Sequence, residues 1–193
     1  MEEQIMNMPA VALRGLTILP GMIAHFDISR ERSLRAVEEA MEQDQKIYLV
    51  TQRNVDSEDP TQEDLYQMGI VADIKQVVRL QNDVVRILVD GISRAALLGF
   101  TGNEKYLEAE ICYCDSNADS LPEDLREAML LGVREAFHRY AAVVGKISKE
   151  LIRQIDQYED LEKLIDYVTN NLCHMSLSSR CLRQRISMTD IRL

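Results

Sequence analysis

The residues able to do chemistry in this 193-residue chain are few, and each has a simpler competing role. Cys112 and Cys114 are two apart, a spacing that puts both side chains on one side of a strand, and Cys173-His174 lies far away in sequence. Zinc takes four thiolate or imidazole ligands, usually in closely spaced pairs. A Cys-x-Cys and a distant Cys-His could supply four, but no sequence feature joins them, so buried reduced thiols are the better reading. Gly99 to Lys105 is the nearest approach to a phosphate-cradling loop, and its spacing is wrong. Ser176, Ser178 and Ser179 stand near arginines rather than a lysine base and read as a helix start. His25 and His138 fall in apolar patterns as core-edge or surface residues. Glu38/Glu39 and Asp59/Glu63/Asp64 read as solvated carboxylates without tuned acidity. No catalytic residue, metal site or cofactor is expected.

What remains is an apolar cluster. Leu19, Pro20, Met22 and Ile23 surround a Pro-Gly turn, and Met68 stands at the end of another element before Gly69. Methionine is flexible and polarizable, so it suits a surface accepting many apolar peptides. Against the simpler reading as the rim of a core, these five residues are the candidate apolar docking set.

The elements that would position them follow from periodicity. Leu13 to Leu19 reads as a short apolar strand interrupted by Gly15 and stopped by Pro20-Gly21, where a type II turn is expected. Arg14, charged among apolar neighbours, needs an edge or a partner. Met22 to Ile28 reads as a strand. A helix to about Asp44, capped by Ser29 or Ser33, would use Leu34, Val37 and Met41 as its apolar face. Lys46 to Thr51 is a buried strand. Asn54 to Asp64 is an acidic loop, and Thr61 with Asp64 starts a short helix ending at Gly69. From Ile70 the period becomes two, with Ile70, Ala72, Ile74, Val78 and Leu80 on one face. A turn at 81–83, a strand over 84–89, a bend at Gly91, a strand over 95–98 and a last strand over 106–113 complete a β-rich unit.

Cys114 to Ser120 is a polar boundary. Ser120-Leu121-Pro122-Glu123 then starts a helix with Leu125, Met129, Val133, Phe137, Tyr140 and Val144 at helical steps, ending at Gly145. Ser148 opens a second helix, and Leu161 to Leu172 forms a third. Short helices from Ser178 and Ser187 are expected after it. The fold class is therefore α+β: a barrel-like unit over about residues 8–114 with one main helix, followed by a helical bundle over about 119–193.

The formal charge of −10 is uneven. Residues 1–115 carry 11 Lys/Arg against 20 Asp/Glu, which disfavours a phosphate grip and argues against nucleic acid. Arg180, Arg183, Arg185 and Arg192 near the end suit a helix C-terminus or an acidic neighbour. No secretory signal or membrane-length apolar run is present, so a cytoplasmic protein is expected. The helix started by Ser187-Met188-Thr189-Asp190 stops within one turn, which reads as a piece of a longer protein.

Five stretches in register carry a family resemblance. They are Pro9 to Gly21, Arg32-Ser33-Leu34 to Met41, Asp59-Pro60-Thr61 to Gly69, Val85 to Gly91, and Asn171-Leu172 with Ile186-Ser187 to Leu193. Together they resemble the N-terminal domain of bacterial ATP-dependent Lon proteases, with Leu19 where an aromatic is common. The resemblance implies a PUA-like LON pseudo-barrel. It also implies a non-catalytic role in substrate recognition and assembly, capturing unfolded, damaged or degron-bearing proteins for an ATPase ring. ATP, magnesium and the Ser-Lys peptidase dyad would belong to modules outside this chain, in a parent expected to be a homo-hexamer. A stand-alone LON-domain adaptor presenting targets to another machine is the alternative. A small-molecule enzyme would need a polar pocket that the sequence does not suggest.

Overall fold

A computed structural model describes residues 5–81, 83–114, 121–145 and 147–178, with backbone alone over 173–178. The chain divides into two compact units, Met1–Asp115 and Ser116–Leu193. The first contains β1 (Ile5–Leu13), β2 (Ile23–Ile28), α1 (Glu31–Glu42), β3 (Lys46–Thr51), β4 (Met68–Arg79), β5 (Val85–Phe100) and β6 (Glu108–Tyr113). The second contains α2 (Glu123–Val144), α3 (Lys149–Gln157) and α4 (Leu161–Ser178). The α+β fold expected from the sequence is the fold observed.

The six strands run in the order β2-β5-β4-β3-β1-β6, and a further β5–β6 pairing closes β1, β3, β4, β5 and β6 into a ring. β5 makes closure possible because it is sixteen residues long. Its residues 85–90 pair with β2 and its residues 95–100 pair with β6, while β4 runs beside nearly all of it. Only β1 and β3 are parallel.

Strands β1, β3, β4 and β5 feed buried cores from both faces. Ala10, Ala12, Tyr48, Val50, Val71, Ala95, Leu97, Ala109 and Ile111 fill the interior, drawing on all five ring strands. Val11, Leu13, Ile47, Leu49, Ile70, Ala72 and Ile74 face the other way into a second core shared with α1 and β2. Double burial explains why β1 shows no alternation in its second half. Residues 8–13 are buried without a break, which hides the alternation of a strand with one wet face. The strand lies before Gly15 rather than across it: Gly15 takes φ +64°, and residues 14–19 cross the second core as an irregular segment that buries Ile18 and Leu19.

Three register shifts, at Lys75, Ile92 and Leu98, decide which side chains face inward. Each adds one unpaired residue, and one extra residue reverses the alternation that follows. Thus Ile87 and Val89 serve the α1-side core, while Ala95 and Leu97, equally odd-numbered, serve the barrel interior. After Lys75 the inward position passes to Val77, leaving Val78 (39% exposed) and Leu80 outside. The expected alignment of Val78 and Leu80 with Ile74 fails for that reason. Gly91 is not a break but part of continuous β5, and Gly69 lies within β4 rather than ending a helix. The helix before it is one 3-10 turn, Gln62–Asp64, where the Asp64 carboxylate accepts from the Thr61 N–H at 3.0 Å and its hydroxyl at 3.1 Å.

Helix α1 begins after Arg30, with no side chain capping it, so neither Ser29 nor Ser33 serves as the cap. Its buried face is Ser33, Ala36, Val37 and Ala40, and Met41 is exposed. Small residues let the helix lie close to β1 and β3, which turns the buried face toward Ala36 and Ala40 while Val37 stays in it and Leu34 packs at its edge. In the second unit, α2 is buried through Leu130, Phe137 and Ala141, while Leu125 and Tyr140 are exposed. Of the stripe read from sequence only Phe137 is buried, because the side meeting α3 and α4 is centred on Leu130, Phe137 and Ala141, with Met129 and Val133 at its margin. Pro122 is the residue before α2; Ser120 and the expected helix from Ser187 lie outside the described residues, and α4 runs through Ser178. Gly145 takes the left-handed conformation that ends α2, and the Ser148 hydroxyl accepts the Leu151 N–H at 3.2 Å to start α3.

Candidate functional site

The Pro-Gly turn is built as its residues demand. The Met22 N–H donates to the Leu19 carbonyl at 3.1 Å, and Gly21 takes φ +71°, the positive value a type II turn requires. The turn is clamped to β5: Gly21 N–H donates to the Gly91 carbonyl at 2.7 Å, and Gly91 N–H to the Met22 carbonyl at 3.0 Å. A Cβ on Gly91 would lie 2.4 Å from the Leu19 carbonyl oxygen, so only glycine permits this approach.

The five candidate residues divide by burial. Leu19 and Met22 are buried, Pro20 is half-buried, and Ile23 (64% exposed) projects from β2. Met68 (38% exposed) is held at the start of β4, apart from the turn: Ile23 is opposite Asp90 of β5, and Met68 is opposite Ala96.

Strand register reveals a row that the linear pattern conceals. Met68 pairs with Ala96, Ala96 with Cys112, and Cys112 with Ile5. Their neighbours Ala95, Leu97 and Ile111 point into the barrel, so this row points out, beyond the face covered by α1. Ile5 is 52% exposed, and Cys114 brings its sulfur within 3.8 Å of the Met68 sulfur. Ile5 was missed because its partner is more than a hundred positions away. Neither of these two cysteines is buried: Cys112 is half-buried and Cys114 is exposed, and neither forms a disulfide, which corrects the expectation of buried thiols for this pair.

A second arrangement gathers charge. Arg14 Nη2 donates to the Ser57 carbonyl at 3.1 Å, and Arg30 Nη2 donates to the same oxygen at 2.9 Å and to Gln52 Oε1 at 2.9 Å. The buried Gln52 adds a third donor to Ser57, from Nε2 at 3.0 Å. Both arginines border a cavity of about 160 Å3 with Leu13, Leu16, Phe26 and Ser33. Burial lowers the Arg30 guanidinium pKa first and the neighbouring Arg14 charge adds to this, while Glu58 and Asp59 oppose it. The value falls from so high a starting point that Arg30 stays charged.

His25 is exposed, and His138 Nε2 lies 2.8 Å from Asp156 Oδ1 across α2 and α3. Arg32 pairs with Asp59 at 3.1 Å and Arg79 with Glu38 at 3.3 Å, both exposed. Among the described residues no group of three or more His, Cys, Asp or Glu could hold a metal, and no helix is long and apolar enough to cross a membrane. Side chains of Cys173, His174 and Ser176 are outside the described residues, as are Ser179 and the four terminal arginines.

With this geometry in hand, similarity to known proteins is informative. Residues 7–181 match the family model of the ATP-dependent protease La (LON) substrate-binding domain. A Lon protease of Lachnoclostridium phytofermentans is 36% identical over 169 residues, covering 88% of this chain and 21% of the relative. A Lon protease of Clostridioides difficile is 35% identical, with 86% and 22% covered, and Lon protease 1 of Bacillus subtilis is 30% identical, with 89% and 22% covered. The chain thus spans about a fifth of the length of these curated relatives. Among solved structures, the N-terminal domain of a Mycobacterium avium complex Lon protease superposes with a TM-score of 0.65 at 17% identity, covering 83% of this chain and 80% of that one, a likeness of fold.

Proposed function

This chain belongs to the LON substrate-binding domain family, and from that premise we propose that it captures unfolded, damaged or degron-bearing polypeptides for ATP-dependent proteolysis by a larger protein. The domain does no chemistry itself; in the parent, ATPase and serine-peptidase modules do that work in the cytoplasm. The observation that carries the reading is the outward row of Ile5, Cys112, Ala96 and Met68 on the barrel. Exposed aliphatic and thioether groups on rigid strands give an unfolded chain a surface on which to bury its own apolar side chains. Ile23 beside the Pro20 turn offers a second contact, with Leu19 and Met22 supporting it from beneath. Each contact is weak, and copies around a homo-hexameric ring would multiply their effect through high local concentration.

The test compares a reduced, alkylated model protein that cannot refold with its native form, measuring binding to this domain alone and to a hexamerised fusion. Preference for the unfolded form, reduced at least threefold by Met68→Glu with Ile5→Glu, is the expected result. Equal binding of native and unfolded forms, or none even after hexamerisation, rejects the capture role.

A further inference from the structure

Arg14, Arg30 and the first turn of α1 border a cavity whose floor is apolar, formed by Val11, Leu13, Leu16, Phe26 and Ile28. We propose that this cavity binds a carboxylate carried next to an apolar side chain, as at the free C-terminus of a polypeptide ending in an apolar residue. This deepens the substrate-capture reading, on which it rests, by naming a feature of the captured chain.

Three observations converge. Among the described residues, each guanidinium spends a single nitrogen on the protein, Nη2 in both cases, and neither arginine lies within 4.0 Å of a carboxylate. Such restraint stands out where acidic residues outnumber basic ones by 20 to 11. The planar fork of an arginine matches the two oxygens of a carboxylate, so the unspent Nε and Nη1 edges are suited donors. Helix α1 supplies the second observation: twelve residues long, it has no side-chain cap at Arg30, and the carboxylate in its first turn, Glu31, is engaged by Arg35 at 2.5 Å, so the positive end of the helix beside the cavity is only partly offset. The third is size. A volume of about 160 Å3 over an apolar floor admits roughly one hydrophobic side chain, on the scale of cavities that hold a small apolar molecule.

Charge selects a monoanion. Glu58 and Asp59 are near enough to act on Arg30, and a phosphate dianion would meet more of their repulsion than a carboxylate would. Asp27 also borders the cavity, but its two oxygens are held by Arg86 Nε at 2.6 Å and Nη2 at 2.8 Å, which leaves the arginines for a ligand.

The experiment measures, by fluorescence anisotropy, this chain binding a labelled eight-residue peptide that ends in Leu-Leu with a free carboxylate. It is compared with the C-terminally amidated peptide and with an amidated peptide carrying an internal Leu-Glu. Arg14 is exposed and makes one hydrogen bond, so Arg14→Gln should fold normally, which circular dichroism checks. The expected result is at least tenfold tighter binding of a carboxylate-bearing peptide than of the amide lacking one, with most of that preference lost in Arg14→Gln and partly kept in Arg14→Lys. The free end outbinding Leu-Glu assigns the site to chain termini, and the reverse assigns it to side chains. Equal binding of all three peptides, or an affinity unmoved by Arg14→Gln, overturns the proposal. Capture of an unfolded protein with a blocked C-terminus would survive that outcome, whereas carboxylate-dependent peptide binding without such capture would retire the capture reading and keep the cavity.

Discussion

Tyr48 covers Gly69. The ring of this buried tyrosine on β3 crosses the glycine on β4, and its hydroxyl donates to the Ala95 carbonyl on β5 at 3.1 Å, tying three strands inside the barrel. Burial pushes the phenol pKa well above its ordinary value, so the hydroxyl remains a donor throughout the physiological range. A Cβ on Gly69 would lie 2.4 Å from Tyr48 Cζ and 2.7 Å from the Leu49 carbonyl oxygen. Gly69→Ala should therefore cost about 1–3 kcal/mol of overpacking. Tyr48→Phe, which strips the Ala95 carbonyl of this donor, should cost about 1–3 kcal/mol. Urea denaturation of both variants checks this; a Gly69→Ala protein as stable as the parent would refute the close approach.

Gly91 plays the corresponding part for the Pro-Gly turn. Gly91→Ala would drive a methyl group against the Leu19 carbonyl and break the paired hydrogen bonds that hold Gly21 and Met22. The expected outcome is faster amide hydrogen exchange at Gly21 and a loss of about 1–3 kcal/mol. Exchange at the α2 amides should be unchanged, since they belong to the other compact unit.

The bulge at Lys75 makes a prediction about adjacent valines. Val77 packs against the α1-side core and Val78 is exposed. Val77→Asp should destabilise by about 2 kcal/mol or more, while Val78→Asp should stay within about 0.5 kcal/mol. Reversal of that order in denaturant melts would mean that the alternation continues unbroken through residue 75.

Acid stability should depend on Asp27. The hydrogen bonds and charge of Arg86 hold its carboxyl below the usual carboxylate range. A depressed folded-state pKa adds stability above the unfolded value, near 4, and that contribution disappears as pH falls through the lower folded value. Arg86→Gln should therefore flatten the fall in stability below about pH 4. High salt should diminish the difference, because the pair is exposed. Denaturation midpoints collected between pH 2 and 6 read this directly.

Helix α3 depends on one hydroxyl. Ser148→Ala removes the acceptor for the Leu151 N–H and should cost the second unit about 1 kcal/mol. Ser148→Asp should recover most of it, and melting followed by circular dichroism distinguishes the two.

What the sequence determined by itself was local. Pro20-Gly21 specified its turn, Gly145 its left-handed helix end, Ser148 its cap, and the shift from period two to helical spacing separated a β-rich first part from a helical second one. Each depends on the conformational preference or hydrogen bonding of a few neighbouring residues, so a short stretch is enough to read it. Only the tertiary structure decided which faces those elements present. An extra residue at Lys75, Ile92 or Leu98 is a bulge only with respect to a partner strand, and it reverses every inward position beyond it. The row from Met68 through Ala96 and Cys112 to Ile5 exists only because β4, β5, β6 and β1 lie side by side. Arg14 and Arg30 converge on Ser57 through a loop 27 to 43 residues away. Such arrangements arise from register and ring closure, which sum pairings across the whole barrel and leave no periodic trace along the chain.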